Sequence, residues 1–429
     1  MRANIVSAEF AAKWDRTVGD FWEVVLERVG EIDDAARAQI RLAGPLGGGG
    51  VPSAVRARLP AHLGSWELCL HEVARILGCN SAAAFRDTFP NARQRIESAA
   101  FAVRSAGLVD YVFNWEALYD QPRRRRQHDI TRQLQEVDRA SLLGELSEAR
   151  RVEVRSSGGT GAGSFLEAFL PTVSIRIPDM HLRTSLRARL GLARPGFDSS
   201  LQVSQPATHC QHRSRLDGTL CGQAFDAGAH DPLRCDIGGA VLHWHNRLRD
   251  FLASWLEGVT GCPTDIEQIV RAWCYADTTP DEFAAEAGLP CAPGTDAKAA
   301  KRKVARLDIG AFLGVDRTWI DVGFTCPRTS DAEERRYRAE EDGRAAGQYV
   351  GRKRRRYPGD SNPAEPLVPF ILEAFGRPSP EVVAFLRTVA PADPAGRAQV
   401  LPAAGQTISV LTQMRLAVLY ISAEHARPL

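Results

Sequence analysis

Nowhere in its 429 residues does the chain hold an uninterrupted apolar run long enough to cross a bilayer, a task that takes about 20 residues. Charged residues follow Met1 where a secretory leader would carry its apolar segment, so an intracellular protein is expected, in the nucleus of a eukaryote. No pair of adjacent Asp residues stands in an aromatic-x-Asp-Asp setting; Tyr275-Ala-Asp-Thr278 has one carboxylate. That excludes a polymerase palm. The Gly-rich stretch Leu42–Val51 lacks a Lys-Ser/Thr ending and follows no strand, which argues against a phosphate loop and for a flexible connection. Internal repeats are absent. Charge of one sign is missing as well: 54 basic against 52 acidic residues leave a net charge of +2, so the protein is not a uniform polyanion binder. The nine Cys are odd in number and fit a reducing compartment, where thiols serve metals or cores.

What is present is ordinary for a globular protein, 44% hydrophobic and 25% charged, with length for two or three domains. From Ser7 to Ile40, Phe10, Trp14, Val18, Phe21, Val24, Val25 and Val29 recur at three- and four-residue steps. This predicts a helix or helix pair with one apolar face. Helices are expected at 52–58, 62–77, 80–87, 90–105, 130–149 and 178–189, and Ser156–Ser164 reads as a second Gly-rich loop. Basic residues cluster at 123–126, 298–306 and 352–356. Such runs either face solvent or hold a phosphate backbone; in the second case Lys301, Lys303, Arg352, Arg354 and Arg356 contact phosphates.

Cys210, Cys221, His230 and Cys235 stand in a C-x10-C-x8-H-x4-C arrangement, a ligand set for tetrahedral zinc. The first gap is longer than usual, so scattered buried thiols are the competing reading, and His209 or His212 could substitute as the imidazole. Behind this knuckle, apolar residues at 241, 248, 252, 255 and 256 predict a helix over 241–256. His243-Trp-His245-Asn246 invites a His-Asn-His nuclease reading, but that motif spreads its histidines over a hairpin and a helix. Here both lie in one helical stretch, which favours a helix-start role.

Leu307–Leu313 and Thr318–Phe324 alternate in polarity around Gly314-Val-Asp-Arg317 and read as a β-hairpin. Pairing Leu313 with Thr318 sets Gly310 opposite Asp321 and Asp308 opposite Gly323. Both carboxylates then lie on one face as diagonal neighbours able to share a divalent ion, and Gly310 and Gly323 clear that face for a phosphate. Leu307, Ile309, Ala311, Ile320, Val322 and Phe324 form the core face. Magnesium or manganese suits such hard oxygen ligands. Glu267, on the strand candidate 265–270, is a third ligand, a water-positioning group or a surface residue. Further strands are expected at 306–313, 318–325 and 367–372, and helices at 330–356, 379–389 and 407–424.

In sequence order, the Cys-Cys-His-Cys knuckle, His245-Asn-Arg, Glu267, Arg-Leu-Asp308-Ile, Asp321-Val, the basic helix ending Lys353-Arg-Arg-Arg-Tyr357 and Pro366-Leu-Val-Pro-Phe-Ile-Leu-Glu-Ala-Phe-Gly376 resemble the C-terminal restriction-like endonuclease of non-LTR retrotransposon polyproteins. The segments at 42–51 and 156–164 resemble Gly-rich stretches of the same elements. The resemblance covers nearly the whole chain and implies a polyprotein tail, truncated or separately encoded, downstream of the polymerase. Two departures stand out. Leu307 occupies a usual Pro position, and Gly323 replaces the lysine of the PD-(D/E)xK triplet; in retroelement versions that lysine is displaced onto the next helix, which nominates Lys353. The implied protein is of α+β or α/β class: a helical region at 1–200, a zinc knuckle at 201–240, a restriction-like mixed sheet flanked by helices at 241–395 and a helical tail at 396–429. Its implied activity is metal-dependent DNA nicking by Asp308, Asp321, Lys353 and Glu267, with structural zinc and catalytic magnesium or manganese. DNA, element RNA and a polymerase in trans are the expected partners, with no membrane. The alternative is a catalytically inactive, zinc-containing nucleic-acid-binding remnant.

Overall fold

The computed structural model describes residues 7–27, 32–120, 126–168, 176–192, 209–214, 217–225, 231–235, 237, 239–276, 302–357 and 365–425. The chain divides into two compact units, Met1–Leu146 and Ser147–Leu429. The divisions expected at 200, 240 and 395 all fall inside the second.

The first unit is helical: α1 (Ala8–Val25), α2 (Asp34–Arg41), α3 (Ala54–Ile76), α4 (Ala82–Thr88), α5 (Pro90–Ser105), α6 (Trp115–Asp120) and α7 (Arg126–Glu145). Ser7, Asp33, Ser53 and Ser81 start four of these by accepting a hydrogen bond from a backbone N–H in the first turn, a contribution of about 1 kcal/mol each. The helices predicted at 52–58 and 62–77 are one helix, with Pro60 inside it. Burial of Leu63 and Leu70 in a core with Phe85, Ile96 and Ile130 outweighs the local preference for a break. The Gly-rich stretch is a closed turn instead of a flexible connection. Gly47 and Gly50 take positive φ, the Gln39 amide donates to the Gly47 carbonyl, and a Cβ on Gly48 would meet the Leu42 carbonyl oxygen at 2.0 Å.

The second unit is of α+β class. It holds α8 (Glu148–Ser156), α9 (Asp179–Leu190), α10 (Ala240–Thr260), β1 (Asp265–Ala276), β2 (Arg302–Leu313), β3 (Asp316–Thr325), α11 (Ala332–Glu340), α12 (Arg344–Arg356), β4 (Leu367–Glu373), α13 (Pro380–Val389) and α14 (Pro394–His425). The single helix expected over 330–356 is broken before α12 by Gly343 at φ +76°, a conformation that costs glycine little. The strands form one mixed sheet in the order β1-β2-β3-β4, antiparallel except for the parallel β3–β4 pair. Parallel pairing requires a crossover, and α11 and α12 provide it. On one face, Leu248, Leu252 and Leu256 of α10 pack with Ile309, Ile320, Val322 and Phe370, joined by residues of α13 and α14. On the other, Ala346, Tyr349 and Val350 of α12 pack on Ile371. No helix among the described residues is long and apolar enough to cross a membrane.

The hairpin register differs from the expected one. Leu313 pairs with Asp316, and the chain reverses through Gly314 and Val315 alone. Gly314 at φ +70° supplies the positive φ that a two-residue hairpin needs first. The slip is two residues, so facing is unchanged. Continuing the observed pairs Gly310↔Trp319 and Ile309↔Ile320 brings Asp308 directly opposite Asp321, not diagonal to it.

Nor do the two glycines leave open space. A Cβ on Gly310 would meet the Trp319 ring at 2.8 Å, and one on Gly323 would meet Tyr349 at 2.7 Å and Ile371 at 2.9 Å. Both positions admit aromatic packing. Gly323→Ala should therefore cost about 1–3 kcal/mol through forced repacking. Gly258→Ala, at an exposed site in α10 with no atom within 4 Å of the added carbon, should stabilise by about 0.5–1 kcal/mol. Urea denaturation of the two variants measures the contrast.

Candidate active site and thiol cluster

Asp308 and Asp321 lie where β2 and β3 stop exchanging backbone hydrogen bonds. The Asp308 carboxylate fills the gap, its Oδ2 accepting the Val322 backbone N–H at 2.7 Å. Asp321 is 4% exposed and hydrogen-bonded to Asp308. Lys353, two turns into α12, sets Nζ 2.7 Å from Asp321 Oδ2, and its side chain is itself largely buried. Tyr349 and Tyr357 flank the ammonium, their ring centres 5.5 and 6.0 Å away. The expected alternative for Lys353, a solvated helix charge, does not hold.

His245 completes the cluster. Its Nε2 lies 3.3 Å from Asp308 Oδ2 and 3.2 Å from the Val322 carbonyl oxygen. The helix-start role expected for it is replaced by a position inside α10, fixed by the burial of Trp244 and Leu248 on either side.

The charges are arranged in opposition. Burial is the largest influence on Asp321 and, with the Asp308 charge, raises its pKa to about 6 despite the Lys353 ammonium. Burial also opposes ionisation of Asp308, but the His245 hydrogen bond and charge hold its pKa below the ordinary value. Burial works against the Lys353 charge, yet Asp321 and the two tyrosines keep its pKa above normal. Below about pH 6 the two adjacent carboxylates thus share a proton, held on Asp321, with Asp308 the ionised partner. The same donors fit a hard divalent cation, which would favour both carboxylates in ionised form.

Glu267 stands across from Asp308 in the continued register of β1 and β2, but it is not part of the carboxylate pair. At φ +54° it marks a local distortion of β1, and its two oxygens are taken by Arg249 and Arg306. Of the expected phosphate contacts, Arg352 stacks over Tyr349 and Arg356 over Tyr357, while Arg354 lies 3.5 Å from Glu381. Lys303 is opposite Tyr275 on β2. Its side chain, like the whole of Lys301, lies outside the described residues.

A second cluster lies at the knuckle. Antiparallel bridges join His209 to Ala224 and Arg213 to Leu220, so the long gap between Cys210 and Cys221 is a hairpin with His212 opposite Cys221. Cys210, His212 and Cys235 are buried, with ligand atoms all within 4.8 Å of one another. Among the described residues this is the only such group of three or more His, Cys, Asp or Glu. Cys221 packs against it and hydrogen-bonds to Cys210. The Cys210 and Cys235 sulfurs are 3.8 Å apart, the edge of a tetrahedron with zinc–sulfur bonds of about 2.3 Å. Burial raises the pKa of both thiols, an unfavourable setting for thiolates until a cation joins them.

The imidazole is prepared for the same role. Ser422 donates its hydroxyl to the Val418 carbonyl at 2.7 Å, so its oxygen accepts from His212 Nε2, also 2.7 Å away. That assigns the proton to Nε2 and a lone pair to Nδ1, the tautomer a metal ligand needs. The cluster could hold a metal ion such as zinc. His212 joins it while His209 stays exposed; His230 lies outside the described residues.

No family model matches the chain, and no curated protein matches it.

Two outcomes follow. Metal analysis should find about one zinc per chain, lost in His212→Ala and kept in His209→Ala. Metal-free protein should also lose stability on the order of 3 kcal/mol through Asp321 as the pH rises. Since the fold holds this proton more tightly than the unfolded chain, the contribution is full below about pH 3.9 and lost as pH passes about 6. Denaturation in chelator across this range should show a larger fall in wild type than in Asp321→Asn.

Proposed function

We propose that the protein is a divalent-metal-dependent DNA endonuclease of the restriction-like type, related to the C-terminal nuclease of non-LTR retrotransposons. The observation that carries this reading is the meeting of Asp308, Asp321 and Lys353, from two strands and a helix, in one buried cluster. The resemblance implies a lysine displaced from its strand position onto the following helix; here Lys353 stands on α12, the second of the two helices between β3 and β4. Gly323 holds the vacated place, where Tyr349 of the lysine-bearing helix packs.

Asp308 and Asp321 would hold magnesium or manganese. When bound, such an ion lowers the pKa of the attacking water and neutralises charge on the phosphate. Lys353, released from Asp321 as that carboxylate turns to the ion, would steady negative charge on the reacting phosphate or hold the nucleophile. His245 would keep Asp308 oriented through its Nε2 contact. Arg352, one residue before Lys353, and Arg354 and Arg356, in the last turn of the same helix, would bind flanking phosphates. Such contacts position a duplex without reading its sequence. The zinc-bound knuckle would pin Cys210 and Cys235 to the end of α14.

The test is nicking of supercoiled plasmid with magnesium or manganese, with and without chelator. Asp308→Ala and Asp321→Ala should abolish nicking and leave duplex affinity within a few-fold. Lys353→Ala should lower the rate by on the order of 10². Nicking that persists in both Asp variants contradicts the assignment. Binding without nicking at any metal concentration identifies an inactive nucleic-acid-binding remnant.

A further inference from the structure

We propose that α1 is a self-association surface and pairs antiparallel with α1 of a second copy of this chain. The helix is docked to its own unit by its less apolar side. Asp15 accepts the Ala54 backbone N–H at 2.8 Å and the Ser53 hydroxyl at 2.5 Å, capping α3. Glu23 pairs with Arg37, and Ala11 and Trp22 are buried beside these contacts.

The apolar face expected from the periodicity is largely in solvent. Phe10, Trp14, Phe21 and Val24 are each more than half exposed. With Thr17, also exposed, they recur at steps of four, three, four and three residues. This is the a/d seam of a helix pair, sustained over two heptads. The Thr17 hydroxyl donates to the Lys13 carbonyl at 3.1 Å, so it is satisfied within the seam. Three aromatic side chains on one stripe form an apolar surface that a lone helix has no reason to leave in water.

The charges beside the seam select the occupant. Lys13 and Asp20 are exposed and, seven residues apart, lie on the same flank. A two-fold axis level with residues 15 and 16 sets Phe10 against Phe21 of the second copy, Trp14 against its Thr17, and Lys13 beside its Asp20 on the flank. The stripe is therefore self-complementary in both shape and charge. A parallel pair would set Lys13 and Asp20 against Val18 and Val25 of the other helix, leaving both charges without an opposite. Two heptads fall short of the roughly 800 Å² per partner of a stable interface, so association should depend on concentration at micromolar protein. The assignment is independent of the nuclease reading.

Sedimentation velocity on the full chain tests it. Wild type should shift from monomer to dimer with concentration. Trp14→Glu should weaken the dimer at least tenfold. Lys13→Glu and Asp20→Lys, both exposed and expected to fold normally, should each weaken it several-fold. Mixing these two variants, or combining both changes in one chain, should restore it. Monomer at every wild-type concentration overturns the proposal and leaves the face to another partner. A dimer indifferent to Trp14→Glu, or to both charge reversals, overturns it too.

Discussion

Two carboxylates held against each other in a dry site are what the second unit must accommodate. Asp308 and Asp321 occupy the sheet's interior, and each strand neighbour, helix and cation around them can be understood as answering that charge. His245 comes from the helix on one face and Lys353 from the helix on the other. The sheet between them is made rigid by Ile309, Ile320 and Val322, all essentially without solvent exposure. Burial of such side chains contributes about 1.5–3 kcal/mol each. That stabilisation lets the fold tolerate a pair in which ionisation of Asp321 is opposed.

The same logic links the site to the knuckle through α14. The helix packs with α10 at the sheet, and its far end meets the thiol cluster through Ser422 and Ala423. Arg328, just beyond β3, ties these parts together. It pairs with Glu153 of α8 at 2.6 Å and with Asp231 at 3.1 Å, donates to the Tyr420 hydroxyl at 2.8 Å, and stacks over Phe375. Glu373 of β4 accepts the Ala346 N–H at 3.0 Å, supporting the first turn of the helix that delivers Lys353. Site geometry thus rests on elements far apart in sequence.

The strand candidates were legible because alternation between polar and apolar residues survives any even shift in register. The expected pairing was two residues out, yet both Asp side chains stay on one face. What was not legible was tertiary. Nothing local to Gly323 announces that Tyr349 will pack there, and nothing local to Glu267 announces two arginines. His245 left a weak signal: it falls four residues after Val241 and three before Leu248, on the inward stripe of an otherwise apolar helix face. At the knuckle, the ten-residue gap is longer than zinc ligand pairs usually have, and bridges close it as a hairpin. Its closure makes His212 the imidazole that lies with Cys210 and Cys235. On α1 the periodicity is plain, but a helical pattern cannot tell a buried face from an exposed one.

Whether Asp308 and Asp321 together hold a divalent ion decides the proposed function. The most direct measurement is anomalous X-ray diffraction from crystals grown with manganese, recorded at the manganese absorption edge. The expected result is a peak beside the two carboxylates, with Lys353 Nζ moved away from Asp321 and no such peak in Asp321→Ala. A peak elsewhere, or intact Asp321–Lys353 pairing at saturating manganese, would contradict it.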